Sequence, residues 1–173
     1  IYQQILEADA DQPEALHLLG VIAHQRGESE QAVTLIEKAL SINPTYADAY
    51  SNLGFILKAL GRLDDAVTLF EKALSLKPDF ADAHNNLGLT LREQGKVEQA
   101  IENYKKALNI RRDYAEAHSN LGNAFMELGR MDEAEASYTQ AIALKPDFAK
   151  AHNNLGDTQK KLGRLDEAEA SYT

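Results

Sequence analysis

Ala81-Asp-Ala-His-Asn-Asn-Leu-Gly-Leu-Thr-Leu-Arg-Glu-Gln-Gly-Lys-Val-Glu-Gln-Ala-Ile-Glu-Asn-Tyr-Lys-Lys-Ala-Leu-Asn-Ile110 reads as two amphipathic helices separated by one glycine. In the first half Ala83, Leu87 and Leu91 fall on one face of a 3.6-residue period, with Asp82, Asn85 and Arg92 off it. In the second half Ala100, Ile101, Tyr104, Ala107 and Leu108 share a face, opposed by Glu98, Gln99, Glu102 and Lys105. Gly95 lies between them, where a residue without Cβ enters the left-handed region that ends a helix. The stretch is a helix, a tight turn and a helix.

Working outward, the same unit recurs with a period of 34 residues. All ten glycines fall on two ladders: Gly20, Gly54, Gly88, Gly122 and Gly156, then Gly27, Gly61, Gly95, Gly129 and Gly163. Leu19, Leu53, Leu87, Leu121 and Leu155 keep the register, as do Ala32, Ala66, Ala100, Ala134 and Ala168. Repeats are therefore expected at 13–46, 47–80, 81–114 and 115–148, flanked by a partial repeat at 1–12 and a truncated one at 149–173. Pro44, Pro78 and Pro146 stop the second helix of three repeats, because proline lacks the helix donor and clashes with the preceding turn. Arg112 replaces the proline once, and the other markers stay in phase, so the repeat is expected to persist there. Asp79 and Asp113 stand where an N-cap is wanted, each with an acid three residues on. The ladder glycines and alanines are expected to let the two helices of a repeat approach closely. Phe70, Tyr104 and Tyr138 are expected to fill the gap towards the next repeat. Tyr46, Phe80, Tyr114 and Phe148, just ahead of each new helix, suit staple contacts better than ligand stacking.

The period, the Leu-Gly pair, the paired alanines and the closing proline resemble the tetratricopeptide repeat (TPR) over all 173 residues. The fold this implies is all-α: a right-handed superhelical α-solenoid of antiparallel helix–turn–helix repeats. One position departs, because the large aromatic usual at the fourth place is Leu16, Tyr50, His84, His118 and His152. The function implied is that of a noncatalytic scaffold for protein–protein interaction, without cofactor, binding an extended peptide in a concave groove.

Composition narrows the chemistry. There is no cysteine, which excludes disulfides, zinc-thiolate sites and cysteine nucleophiles. A net charge of −9 with basic residues scattered singly argues against nucleic acid, whose binding needs a cationic surface to displace counterions. No apolar run approaches a membrane span of ~20 residues. A cytoplasmic setting is expected, with no membrane partner. His84, His118 and His152 recur once per repeat, which places them about 10 Å apart. Zn–N bonds are about 2 Å, so one ion cannot join them, and packing at the groove edge is the simpler role. No nucleophile or carboxylate stands with any histidine as a catalytic partner would. Acid clusters such as Asp132, Glu133 and Glu135 open second helices, where the helix dipole favours them. No enzyme activity is expected.

One ladder has no folding explanation. Asn52, Asn86, Asn120 and Asn154 precede the Leu-Gly pair in four consecutive repeats, although asparagine is a mediocre helix former. The positions four before and three after share their stripe: Asp48, Asp82, Glu116 and Lys150 on one side, Phe55, Leu89 and Asn123 on the other, followed by Asp157. By the TPR resemblance this stripe lines the concave surface. An amide offers one acceptor and two donors, enough to pair with both the C=O and the N–H of an extended peptide. The ladder is similar to that of the superhelical repeat domain of the O-linked N-acetylglucosamine transferase family, which makes a substrate-presenting segment of a larger glycosyltransferase an alternative. Hydrogen bonding between adjacent repeats is the plainer role for these asparagines, and the two roles are compatible. The acids at 48, 82 and 116 favour a neutral or basic partner segment. The two-carboxylate clamp of chaperone-cofactor repeats wants cations on the groove, and only Lys150, near Asn120 and Asn123, echoes it. The ends read as cut helices, Tyr2, Ile5 and Leu6 at one and Leu165, Ala168 and Tyr172 at the other, which suggests self-assembly head to tail as a second alternative.

Overall fold

The computed structural model describes residues 11–172. The expected contacts of Tyr2, Ile5 and Leu6 lie outside the described residues. Ten helices and no strand occupy the described chain: α1 (Pro13–Gln25), α2 (Ser29–Ile42), α3 (Ala47–Ala59), α4 (Leu63–Leu76), α5 (Ala81–Glu93), α6 (Val97–Ile110), α7 (Ala115–Glu127), α8 (Met131–Leu144), α9 (Ala149–Lys161) and α10 (Leu165–Ser171). They divide into two compact units, one ending at Thr90 and the other beginning at Leu91.

Each hairpin turn is made by backbone chemistry that the second glycine ladder permits. Gly27, Gly61, Gly95, Gly129 and Gly163 have φ between 71° and 84°, and no other residue type adopts positive φ among the described residues. Around Gly27 the glycine N–H donates to His24 O at 2.9 Å and Glu28 N–H donates to Ala23 O at 2.9 Å. This pair of bonds satisfies carbonyls that the helix end would leave open. It repeats at Gly61 (Lys58 O) with Arg62 (Leu57 O), and so through Gly163 with Arg164.

In the first unit α1 packs on α2, α2 on α3 and α3 on α4, while α1 also meets α3. In the second unit α6 packs on α7, α7 on α8, α8 on α9 and α9 on α10, while α7 also meets α9. Each unit therefore stacks hairpins in chain order, as an α-solenoid does. The alanine ladders are its innermost positions: Ala32, Ala39, Ala66, Ala73, Ala134 and Ala141 are fully inaccessible.

Two packing expectations change. A Cβ added at Gly54 would lie 3.0 Å from the Phe70 ring, and one at Gly122 would lie 2.6 Å from the Tyr138 ring. The glycine thus makes room for a ring of its own hairpin, rather than only letting two axes close up, and that ring is not spent solely on the gap to the next repeat. In the first repeat Ile36 takes this place over Gly20, at 2.5 Å from such a Cβ. Tyr172 repeats the arrangement over Gly156, but it stays 46% exposed and Leu165 63% exposed, whereas Phe70 and Tyr138 are buried.

The expected aspartate caps are also corrected. The N-caps of α3, α7 and α9 are Tyr46, Tyr114 and Phe148, none with a side-chain cap bond, so Asp113 stands one residue too early to cap α7. The aromatic residue instead receives the cation that ended the previous helix. Lys77 sits 4.4 Å from the Phe80 ring centre, Arg111 4.2 Å from Tyr114 and Lys145 5.2 Å from Phe148. Such contacts contribute about 0.5–1 kcal/mol each when exposed. The histidine ladder ties the same turn: His84 Nε2 pairs with Pro78 O at 3.2 Å, His118 Nε2 with Arg112 O at 3.2 Å and His152 Nε2 with Pro146 O at 2.9 Å, the ring N–H donating. The acceptor is a backbone carbonyl, so Arg112 serves as well as proline and its repeat persists.

Candidate concave binding sites

In the first unit a concavity of about 180 Å³ is lined by Val21, His24 and Gln25 of α1 and Asn52, Phe55 and Ile56 of α3. Both helices supply the stripe that continues along the Leu-Gly face, so the predicted Asn52 and Phe55 come together here. Phe55 stays 47% exposed, with the His24 ring edge-on at 5.8 Å. Asn52 is half-buried and its Nδ2 lies 2.7 Å from Nε2 of His17, one repeat earlier. An amide nitrogen can only donate, so Nε2 must accept, and Nδ1–H then donates to the Tyr46 hydroxyl at 2.9 Å. The plainer role of the asparagine ladder, joining adjacent repeats, is therefore present at Asn52.

This arrangement requires a neutral imidazole. Burial pushes the His17 pKa below its ordinary value, against the opposing pull of Asp48 and then Glu14. Burial lowers His118 likewise, opposed by its bond to the Arg112 carbonyl. In the unfolded chain both rings take up a proton near pH 6.5, before the folded protein does. Their contribution is thus complete above about pH 6.5 and is lost as the pH falls below it. Thermal melts at about pH 7.5 and about pH 5.5 should show a drop that shrinks in His17→Gln and again in His17→Gln/His118→Gln. An undiminished drop in the double variant would remove both rings from the effect.

In the second unit a concavity of about 340 Å³ is built from Arg92 at the end of α5, Asn123, Met126 and Glu127 of α7, Tyr138 of α8, and Lys150, Asn154, Asp157 and Lys161 of α9. Three predicted residues, Asn123, Lys150 and Asn154, meet there. Asn154 Nδ2 donates to Asn123 Oδ1 at 2.8 Å, and the Tyr138 hydroxyl donates to the same oxygen at 2.8 Å. Burial pushes the Tyr138 hydroxyl pKa up, so the group stays a donor. Asn154 joins adjacent repeats, as Asn52 does, through one of its two amide hydrogens.

The other predicted residues are distributed differently. Asn86, Asn120, Asp82 and Leu89 are half-buried on α5 and α7. Asp48 and Glu116 are exposed, but each faces the lysine that ends the second helix of its own repeat, Lys77 Nζ at 3.8 Å and Lys145 Nζ at 3.5 Å. The acidic edge expected from the sequence is therefore compensated at these two positions. Sequence reasoning misses Arg92, Met126, Glu127 and Lys161. Their signal is present: they continue the stripe of Leu89, Asn123 and Asp157 by three or four residues, one further helical turn. The basic residues look scattered singly along the chain, whereas folding brings Arg92, Lys150 and Lys161 to one concavity.

Among the described residues no group of three His, Cys, Asp or Glu side chains is placed to hold a metal. No described helix is long and apolar enough to cross a membrane.

A TPR repeat family model matches residues 22–61, 56–91, 88–129 and 122–163. No curated protein sequence matches significantly. Among solved structures, MamA is similar with 25% identity and a TM-score of 0.82, covering 88% of this chain and 90% of that one. TTC0263, a thermophilic TPR protein of Thermus thermophilus, is 30% identical with a TM-score of 0.75, covering 93% of this chain and 88% of its own. YrrB, described as a TPR protein with an unusual peptide-binding site, is 22% identical with a TM-score of 0.78, covering 98% and 88%.

Proposed function

The chain belongs to the TPR repeat family, whose members are protein-interaction scaffolds, and from that premise we propose that it is a noncatalytic scaffold that holds an extended peptide segment against its first helices. Asn52, Asn86, Asn120 and Asn154 grip the peptide backbone, and the pockets beside them receive its side chains. The observation that carries this reading is that one ladder asparagine lines a concavity in each unit, Asn52 in one and Asn154, bonded to Asn123, in the other. At Asn52 and Asn154 the amide uses one donor on a neighbouring repeat, which orients the group and leaves its remaining donor and acceptor for a ligand. Phe55 and Ile56 form an apolar seat in the first unit, suited to a neutral or basic segment because no Lys or Arg lines it. YrrB, with its described peptide-binding site, is a precedent within the fold.

Replacing Asn86, Asn120 and Asn154 together by alanine tests the ladder. Each lost neutral hydrogen bond contributes about 0.5–1.5 kcal/mol net, so affinity for a flexible extended peptide should fall about tenfold to a few hundredfold, while melting falls only by what the lost Asn154–Asn123 bond supplies. Fluorescence anisotropy with the intact chain reads the first quantity and circular dichroism the second. A variant that melts much earlier yet binds peptide normally when folded would leave the asparagines with an interrepeat role alone.

A further inference from the structure

We propose that the concavity of the second unit selects a carboxylate side chain, an aspartate or glutamate of the bound segment, between Lys150, Lys161 and Arg92. The assignment rests on the peptide-binding reading above and reverses, for this unit, the partner charge that the sequence suggests. Its basis is an imbalance between donors and acceptors. Glu127 Oε1 already accepts from Arg92 Nε at 3.1 Å. Asp157 Oδ1 accepts from the Tyr172 hydroxyl at 2.7 Å. Asn123 Oδ1 accepts twice, from Tyr138 and Asn154. One oxygen of every acceptor side chain except Asn154 is thus engaged within the protein.

The donors are not. Lys150 and Lys161 are exposed and pair with no carboxylate among the described residues. Arg92 lies beside the buried Tyr104 hydroxyl, whose pKa burial raises and the guanidinium pulls back, and its charge lines the same concavity. Three cations against two partly engaged carboxylates leave the concavity net positive although the chain as a whole carries −9. A carboxylate entering between the lysines takes charge-assisted hydrogen bonds from them, with the Arg92 charge at the wall of the same concavity. An isosteric amide is held more weakly because it brings no charge, and a lysine meets like charge.

The experiment uses the intact chain and fluorescein-labelled, amidated Ser/Ala/Gly peptides that differ only in a central pair of residues: Glu-Glu, Gln-Gln or Lys-Lys. The Glu-Glu peptide should bind about tenfold more tightly than the Gln-Gln peptide at low salt, with the gap closing as salt rises. Lys150→Gln with Lys161→Gln should shrink that gap to the part Arg92 alone sustains; both residues are exposed, and circular dichroism checks the fold. Equal affinity of the Glu-Glu and Gln-Gln peptides, with both bound, would overturn the charge assignment and leave the peptide reading intact. A preference undiminished in the double lysine variant would overturn the assignment to the lysines. A Gln-Gln peptide with a free C-terminal carboxylate that binds as tightly as the Glu-Glu peptide would assign the site to a chain terminus instead. Binding of none of the peptides would sink the scaffold reading, and this assignment with it.

Discussion

Gly122→Leu is expected to be among the most damaging single changes in the second unit. Even a Cβ at this position would stand 2.6 to 2.9 Å from three ring atoms of Tyr138, closer than real side chains approach. The ring cannot swing away freely, because it is 1% exposed and its hydroxyl is held by Asn123 Oδ1 at 2.8 Å. Overpacking of this kind typically costs about 1–3 kcal/mol and at times more. Since each hairpin is buried mainly by its neighbours, the unfolding transition should also broaden. The control is Gly129→Leu, at φ 71° with nothing within 4 Å of a new Cβ. It carries only the strain of a left-handed side chain, roughly 1–2 kcal/mol. Urea unfolding compares them, and a Gly122→Leu midpoint no lower than that of the control would refute the ring-over-glycine packing.

Phe70→Ala probes the same contact from the other side. The ring is fully buried and fills the space over Gly54, whose added Cβ would meet three of its atoms at 3.0–3.2 Å. Removal of a buried phenylalanine costs about 3–5 kcal/mol through lost burial and the cavity left behind. If glycine is there only to admit the ring, Gly54→Val should destabilise the wild type but refill part of the cavity in Phe70→Ala. The double variant is then more stable than the sum of the single losses by about 0.5–3 kcal/mol, the range of coupling between residues in contact. Strict additivity of the two changes would show that Gly54 and Phe70 do not share that space.

Much of the architecture is legible in the residues themselves. The two glycine ladders and the alanine positions place each hairpin, because a left-handed turn and a fully buried small residue are demands that few side chains meet. The cap of α7 is not legible, because Asp113 and Tyr114 both precede the first helical turn and local sequence does not say which of them takes the N-cap dihedrals. The histidine ladder does more than pack at a groove edge; its bond reaches a carbonyl six residues back across a turn, and that reach depends on the turn's closed shape.

Taken as a string of residues, the chain specifies a 34-residue helix–turn–helix repeat, its register and the stripe that carries the asparagines. These follow from periodicity, which is local and recurs in every copy. Folding alone decides which charges meet. Lys77 lies 29 residues beyond Asp48, and Lys145 stands in the same relation to Glu116, so the hairpin neutralises acids that look unpaired in sequence. Arg92, Lys150 and Lys161 come from two helices and share one concavity. Charge balance at a groove is a sum over residues brought together by stacking, and no single repeat contains the terms of that sum.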